Sequence, residues 1–144
     1  MLVSEVLDMK GRRVVTIDSE ATVSEAVARL VQNNVGSLPV LDDDGRLIGV
    51  FSERDALRLM HHRGEGFGRL KISSVMTCNP VTCRVDDSVD EVMGIMSERR
   101  VAKVPVVEEE NLIGVVSVGD VVKLMYEKVT TENRHLMSYI QGDL

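Results

Sequence analysis

The chain contains the same passage twice. Leu47-Ile48-Gly49-Val50-Phe51-Ser52-Glu53-Arg54-Asp55 returns as Leu112-Ile113-Gly114-Val115-Val116-Ser117-Val118-Gly119-Asp120, at an offset of 65. Upstream, Val35-Gly36-Ser37-Leu38-Pro39-Val40 returns as Val101-Ala102-Lys103-Val104-Pro105-Val106, at an offset of 66. Two copies are too few for a solenoid, which needs at least about three stacked repeats. The repetition predicts two half-domains facing each other across a pseudo-twofold axis. Such a pair creates two equivalent clefts, and function is to be sought there.

A length of 144 residues is enough for one substantial core. The first repeat covers residues 1–62 and the second 72–127. Between them, residues 63–71 form a linker in which Gly64, Gly66 and Gly68 mark a loop. Residues 128–144 form a C-terminal helical extension.

Each repeat reads strand, helix, strand, strand, helix. Val14-Val15-Thr16-Ile17 and Val81-Thr82-Cys83 are short β-type runs. Thr22 opens a helix with Val23, Ala26, Val27, Leu30 and Val31 on one face. Ser88 opens its twin, with Val89, Val92, Met93 and Met96. Two hairpins follow, turning at Asp42–Gly45 and at Glu108–Asn111. The second turn is one residue shorter, which accounts for the change of offset from 66 to 65; such an indel in a surface turn is cheap. Pro39 and Pro105 within these strands predict edges or bulges. In the tail, Val122, Met125, Val129, Leu136, Tyr139 and Ile140 suggest an amphipathic helix weakened at Thr130-Thr131.

Several function classes are disfavoured. Aromatic residues make up only 3%, so the core is aliphatic. A net charge of −6 argues against nucleic acid, whose binders carry a basic face. No apolar run approaches the roughly 20 residues that span a bilayer, and no secretory leader is visible. Cys78 and Cys83 read as reduced cysteines, so a cytoplasmic location without membrane insertion is expected. Neither a phosphate-binding P-loop, nor a dinucleotide fingerprint, nor a zinc-protease motif is present. His61 and His62 are adjacent and cannot share a helix face as metal ligands. No catalytic or metal-ligating residues are expected, and the chain does not read as an enzyme.

Four helices open with one grammar: Thr22-x-x-Glu25, Ser52-x-x-Asp55, Ser88-x-x-Glu91 and Ser117-x-x-Asp120. A capping box accounts for all four. The second and fourth nevertheless carry Asp, whereas a capping box prefers the longer Glu or Gln. Each of these two helices also follows a glycine-bearing strand, at the end of a sheet. Free N–H groups there favour a phosphate, and an acid one turn in suits a ribose diol. Spacing alone leaves capping and nucleotide binding both open.

Val75-Met76-Thr77, the two x-x-Pro-Val strands, the two apolar-Gly-apolar strands and both Ser-x-x-Asp motifs, duplicated in order, resemble cystathionine-β-synthase (CBS) domains. Nearly the whole chain resembles one tandem pair, a Bateman module, of the small stand-alone bacterial kind, including the trailing Tyr139-Ile140. The resemblance implies an α+β fold of two β-α-β-β-α repeats and a regulatory adenosyl-ligand binder. Ser52 with Asp55, and Ser117 with Asp120, are implied to hold phosphate and ribose. For the first cleft the resemblance implies adenine contacts from Thr77, Val81, Val101, Ala102, Lys103 and Pro105. For the second it implies Val15, Val35, Gly36, Ser37 and Pro39.

The Ser52/Asp55 cleft is expected to be the stronger. Arg54 and Lys103 can neutralise phosphate there, and Thr77 stands where the first repeat offers Asp8. The expected ligand is an adenine nucleotide, AMP first, with NADH, ADP, ATP and S-adenosylmethionine open. It would act by favouring one arrangement of the module. A homodimer is implied, and a separately encoded enzyme or transporter is a possible regulated partner. The rival is a ligand-independent interaction module in which both Asp residues only cap helices.

Overall fold

Val3, Val6 and Leu7 share one face of a first helix, α1 (Val3–Lys10), and all three are buried. They are not buried against the repeat that contains them. A computed structural model of the chain, which describes residues 1–141, packs them into the core of the second repeat. That core also holds Val89, Val92, Met96, Val104, Val106, Val116, Val121 and Leu124. The first repeat's core holds Ile17, Val23, Ala26, Leu30, Leu38, Val40 and Phe51. It is completed by Ile72 from the start of the second repeat. The two halves have exchanged their leading helices.

The remaining elements follow in order. They are β1 (Ile17–Asp18), α2 (Val23–Asn33), β2 (Ser37–Leu41), β3 (Leu47–Ser52) and α3 (Glu53–Arg63). Then come α4 (Ile72–Val75), β4 (Thr77–Cys78), α5 (Val89–Arg99), β5 (Lys103–Glu108), β6 (Asn111–Ser117) and α6 (Val118–Gln141). One sheet has the order β1-β2-β3-β4, and β5-β6 forms a second. The fold is α+β, with both expected hairpins in place.

The exchange is held by matching hydrogen bonds. Val3 N–H donates to Asp87 C=O and Ile72 N–H to Ala21 C=O, at 3.0 and 2.8 Å. Ser4 N–H donates to Val85 C=O and Ser73 N–H to Ser19 C=O, both at 2.9 Å. Residues 3 and 72 are thus equivalent, at an offset of 69, whereas 21 and 87 differ by 66. The first repeat therefore holds three extra residues between Ser4 and Ser19, and they lengthen α1, which spans eight residues where α4 spans four. The basic run Lys10-Gly11-Arg12-Arg13 ends α1, whereas the stretch after α4, residues 76–82, carries no charge.

The structure departs from four expectations. Both repeats begin with a helix, α1 or α4, before any strand. The β-type runs at 14–17 and 81–83 shrink to Ile17–Asp18 and to a single bridge, Cys83 to Val106. Pro39 is not on an edge strand, because β2 lies between β1 and β3. It is tolerated because β1 pairs only with Val40 and Leu41, so no ladder bond is asked of the proline nitrogen. A bulge does follow at Val40/Leu41 and again at Val106/Val107. Finally, α6 runs unbroken through Thr130-Thr131. Of the 128–144 extension, residues 142–144 lie outside the described residues.

Cys83 is buried in the second core, where burial first and the charge of Asp87 second push its thiol up to about 12. It is a packing residue, and Cys78 is exposed. Among the described residues no helix is long and apolar enough to cross a membrane.

The glycines of the repeated strands are explained by the exchange. A Cβ on Gly114 would stand 2.7 Å from Leu7 Cδ2, and one on Gly49 would stand 2.8 Å from the Thr77 carbonyl oxygen and 2.5 Å from Met76 Sδ. Each glycine receives the leading helix, or the residues just after it, from the other repeat. Gly49→Ala is expected to destabilise by roughly 1–3 kcal/mol, since the backbone of β4 must shift. Gly94, on α5 with open space around it, provides the contrast. Gly94→Ala is expected to stabilise by roughly 0.5–1 kcal/mol through helix propensity. Urea unfolding of both variants checks the pair.

Candidate functional site

The two hairpins face each other with like residues. Pairing sets Pro39 opposite Val50 and Ser37 opposite Ser52. It sets Pro105 opposite Val115 and Lys103 opposite Ser117. Alternate residues of a strand point to one face. Ser37, Pro39 and Val50 therefore meet Lys103, Pro105, Val115 and Ser117 around a cavity of about 310 Å3. The cavity is not symmetric. One side is walled by Lys10, Arg13, Val14 and Val15, with Val35 completing the lining. Lys10, Arg13, Val14 and Val15 run from the end of α1 into the segment that leads to β1.

Seven of the residues singled out from sequence are brought together here: Val15, Val35, Ser37, Pro39, Lys103, Pro105 and Ser117. Others sit elsewhere. The carbonyls of Gly36 and Ala102 accept from Glu53 and Val118 N–H, at 2.9 Å each, and so fix the starts of α3 and α6. Thr77 pairs with Val50 on β4 and is exposed. Val81 is half-buried just before the Cys83 bridge, and Val101 is exposed at 37%.

The two cations expected at Ser52/Asp55 are placed otherwise. Arg54 lines a separate groove between α2 and α3, with Val31, Leu57 and Met60. Lys103 stands across from Ser117, in its own hairpin, and lines the cavity on that side.

Both Ser-x-x-Asp motifs form complete capping boxes. Asp55 N–H donates to Ser52 Oγ at 3.2 Å, and Ser52 N–H to Asp55 Oδ2 at 2.9 Å. In the second motif both bonds measure 3.0 Å. The shorter acid therefore does reach back, contrary to the expectation that Glu would do so better. At Thr22 and Ser88 the hydroxyl accepts from the third-residue amide, at 3.2 Å in each. Capping uses only Oδ2 of each aspartate. Oδ1 receives no bond from the protein among the described residues.

The two aspartates differ in one respect. Lys10 Nζ reaches Asp120 Oδ2 at 2.5 Å and also donates to the Val115 carbonyl at 2.9 Å. The ion pair is partly sheltered, with side-chain exposures of 30% and 22%. Burial raises the Asp120 pKa, but the bonds from Lys10 and Ser117 outweigh it and hold the carboxyl below its usual range. Among the described residues Asp55 has no such cation.

Lys10, Arg13, Val14, Val50 and Val115 were missed in the sequence. A signal existed: the offset drops from 69 to 66 within a basic stretch. It is readable only once α1 and α4 are known to be equivalent.

The CBS domain family profile matches residues 3–62 and 72–127. The chain belongs to the CBS domain family. It is similar to the crystal structure of the CBS-domain containing protein ATU1752 from Agrobacterium tumefaciens, with TM-score 0.80 and 37% identity, over 87% of this chain and 99% of that one. It is also similar to the CBS domain pair of protein MJ0100 in complex with 5′-methylthioadenosine and S-adenosyl-L-methionine. There the TM-score is 0.76 and the identity 28%, over 89% of this chain and 98% of that one. CBSX2 in complex with AMP matches with TM-score 0.73 and 26% identity, over 81% of this chain and 90% of that one.

In this CBS pair the folded pKa of Asp120 lies below the unfolded one. Its ionised form therefore contributes stability above the unfolded value, about 3.9, and that contribution is lost as pH falls through the folded value. Lys10→Met is expected to cost less than about 1 kcal/mol near neutral pH, given the exposure of the pair. The gap between variant and parent should close as pH falls from about 5 to about 2. Urea midpoints measured across that range check it.

Proposed function

We propose that this CBS pair is a regulatory module that binds an adenine nucleotide in the Ser117/Asp120 cleft. The observation that carries the reading is the cavity itself. It is lined by residues of both repeats and joins apolar prolines and valines to Ser117 and three cations. Apolar walls with a few placed polar groups suit a planar base and a charged tail. Two structural relatives carry adenosyl ligands, AMP in CBSX2 and two adenosyl compounds in MJ0100. AMP is the first candidate here, with ADP, ATP, NADH and S-adenosylmethionine to be compared.

In this reading the adenine lies against Val15, Val35 and Pro39. Ser117 and the start of α6 take phosphate, and Asp120 takes the ribose hydroxyls through its free oxygen. Ser52 and Asp55, with Thr77, Val81, Val101 and Ala102 from the resemblance, form the weaker second cleft, while Lys103 and Pro105 line the first. Because both halves line the cavity, a ligand favours one arrangement of the halves by its differential affinity. The module carries no catalytic role. It acts as a homodimer, and exposed Val31, Leu57 and Met60 beside the α2–α3 groove supply an apolar face for that contact. A separately encoded enzyme or transporter is the regulated partner.

One observation favours a second reading. Both Ser-x-x-Asp motifs are satisfied as caps within the protein. If capping is their whole role, the chain is an interaction module without a ligand.

A thermal-shift screen of the purified chain separates the two. A ligand at about 100 times its dissociation constant adds roughly 2.7 kcal/mol, or several degrees for a domain of this size. Asp120→Asn is expected to keep the cap and abolish the AMP shift, and Asp55→Asn to reduce it less. No shift with any adenosyl compound overturns nucleotide binding in favour of the interaction module.

A further inference from the structure

The wall of the Ser117/Asp120 cleft is cationic in a way its twin is not. Lys10, Arg13 and Lys103 all line the cavity, and no carboxylate is among its lining residues. Asp120 is not among the lining residues, but Lys10, which is, bonds its carboxylate. In the other repeat the stretch after α4, residues 76–82, carries no charge, and Ser37 stands where Lys103 does. Among the described residues Arg13 and Lys103 make no ion pair with the protein, so both charges face the cavity uncompensated.

We infer that this cleft selects a 5′-phosphorylated nucleoside and rejects a nucleoside thioether or sulfonium, with Lys10 as the residue that sets the choice. The inference rests on the nucleotide reading above and narrows its ligand class. A ribose diol that bonds Oδ1 of Asp120 shares the carboxylate with the Lys10 ammonium on Oδ2 and brings its 5′ substituent near that ammonium. The four-carbon stem keeps that ammonium within the cavity. A 5′-phosphate gives it a new partner, together with Arg13 and Lys103, through charge-assisted hydrogen bonds. A thioether offers these cations no anionic partner, so the charges of Arg13 and Lys103 stay uncompensated. A sulfonium adds repulsion from three like charges. Selection thus follows from whether the ligand brings an anion to Lys10, Arg13 and Lys103. The ligand class of the MJ0100 pair would not carry over to this chain.

Calorimetric titration of the full chain with AMP, 5′-methylthioadenosine and S-adenosylmethionine tests this. The parent is expected to bind AMP at least about tenfold more tightly than the thioether, with the sulfonium weakest. Added salt should weaken AMP but not the thioether. Lys10→Met should cut AMP affinity about tenfold or more and leave the thioether unchanged or improved. Lys103→Met, an exposed strand position that holds no helix in place, should shift the ratio in the same direction. It decides the matter if Lys10→Met fails to fold. Equal affinities for AMP and the thioether, or a ratio unmoved by either variant, overturn the inference and leave nucleotide binding standing. Binding of none of the three overturns the nucleotide reading, and the inference with it.

Discussion

A side chain from one repeat lies on a glycine of the other, and the rest of the molecule depends on that contact. Leu7 occupies the space that a Cβ on Gly114 would take, and Met76 does the same at Gly49. Neither repeat closes its apolar core without the helix that precedes the other. The exchange converts two short, weakly paired sheets into one unit with two linked cores. It also sets the two hairpins face to face, which creates the cavity. And it carries the end of α1, with Lys10, to the start of α6, where Asp120 stands.

Capping and binding are often treated as competing explanations of a Ser-x-x-Asp helix start. Here the geometry makes them compatible. A carboxylate has two oxygens, and the cap uses only Oδ2. The cap orients the group and leaves Oδ1 available. The amide and hydroxyl of the serine are likewise fixed by the cap, which places a rigid polar corner at the end of the hairpin. What separates the clefts is not the motif, which is the same in both. It is the longer α1 and the basic run that ends it, which give one cleft a basic wall.

Much of this was legible in the sequence. The duplicated strands, the hairpins and the amphipathic α2 and α5 follow from residue spacing, because periods of 2 and 3.6 are local properties. The family resemblance, and with it the fold class, followed from motifs repeated in order. Other features were not legible. α1 and α4 are short, and helices of 8 and 4 residues carry little periodic signal. Pro39 looked like an edge marker because the proline rule concerns a missing donor. Whether that donor is needed depends on how far the neighbouring strand extends. Arg54 and Lys103 looked like a pair because both lie near repeated motifs. The turn of α3 carries one to an outer groove, and strand pairing carries the other to Ser117.

The sequence by itself determined that the chain is two copies of one unit, where their strands turn, and which serines and aspartates open the helices after them. Those are matters of local spacing, capping and turn chemistry. Only the tertiary structure decided which half each leading helix serves, and which of two like clefts is enclosed and charged. The physical reason is that apolar faces are not directional: Val3, Val6 and Leu7 fit any aliphatic surface of the right shape. The choice between the two cores is made by non-local backbone bonds and by the two glycines that leave room.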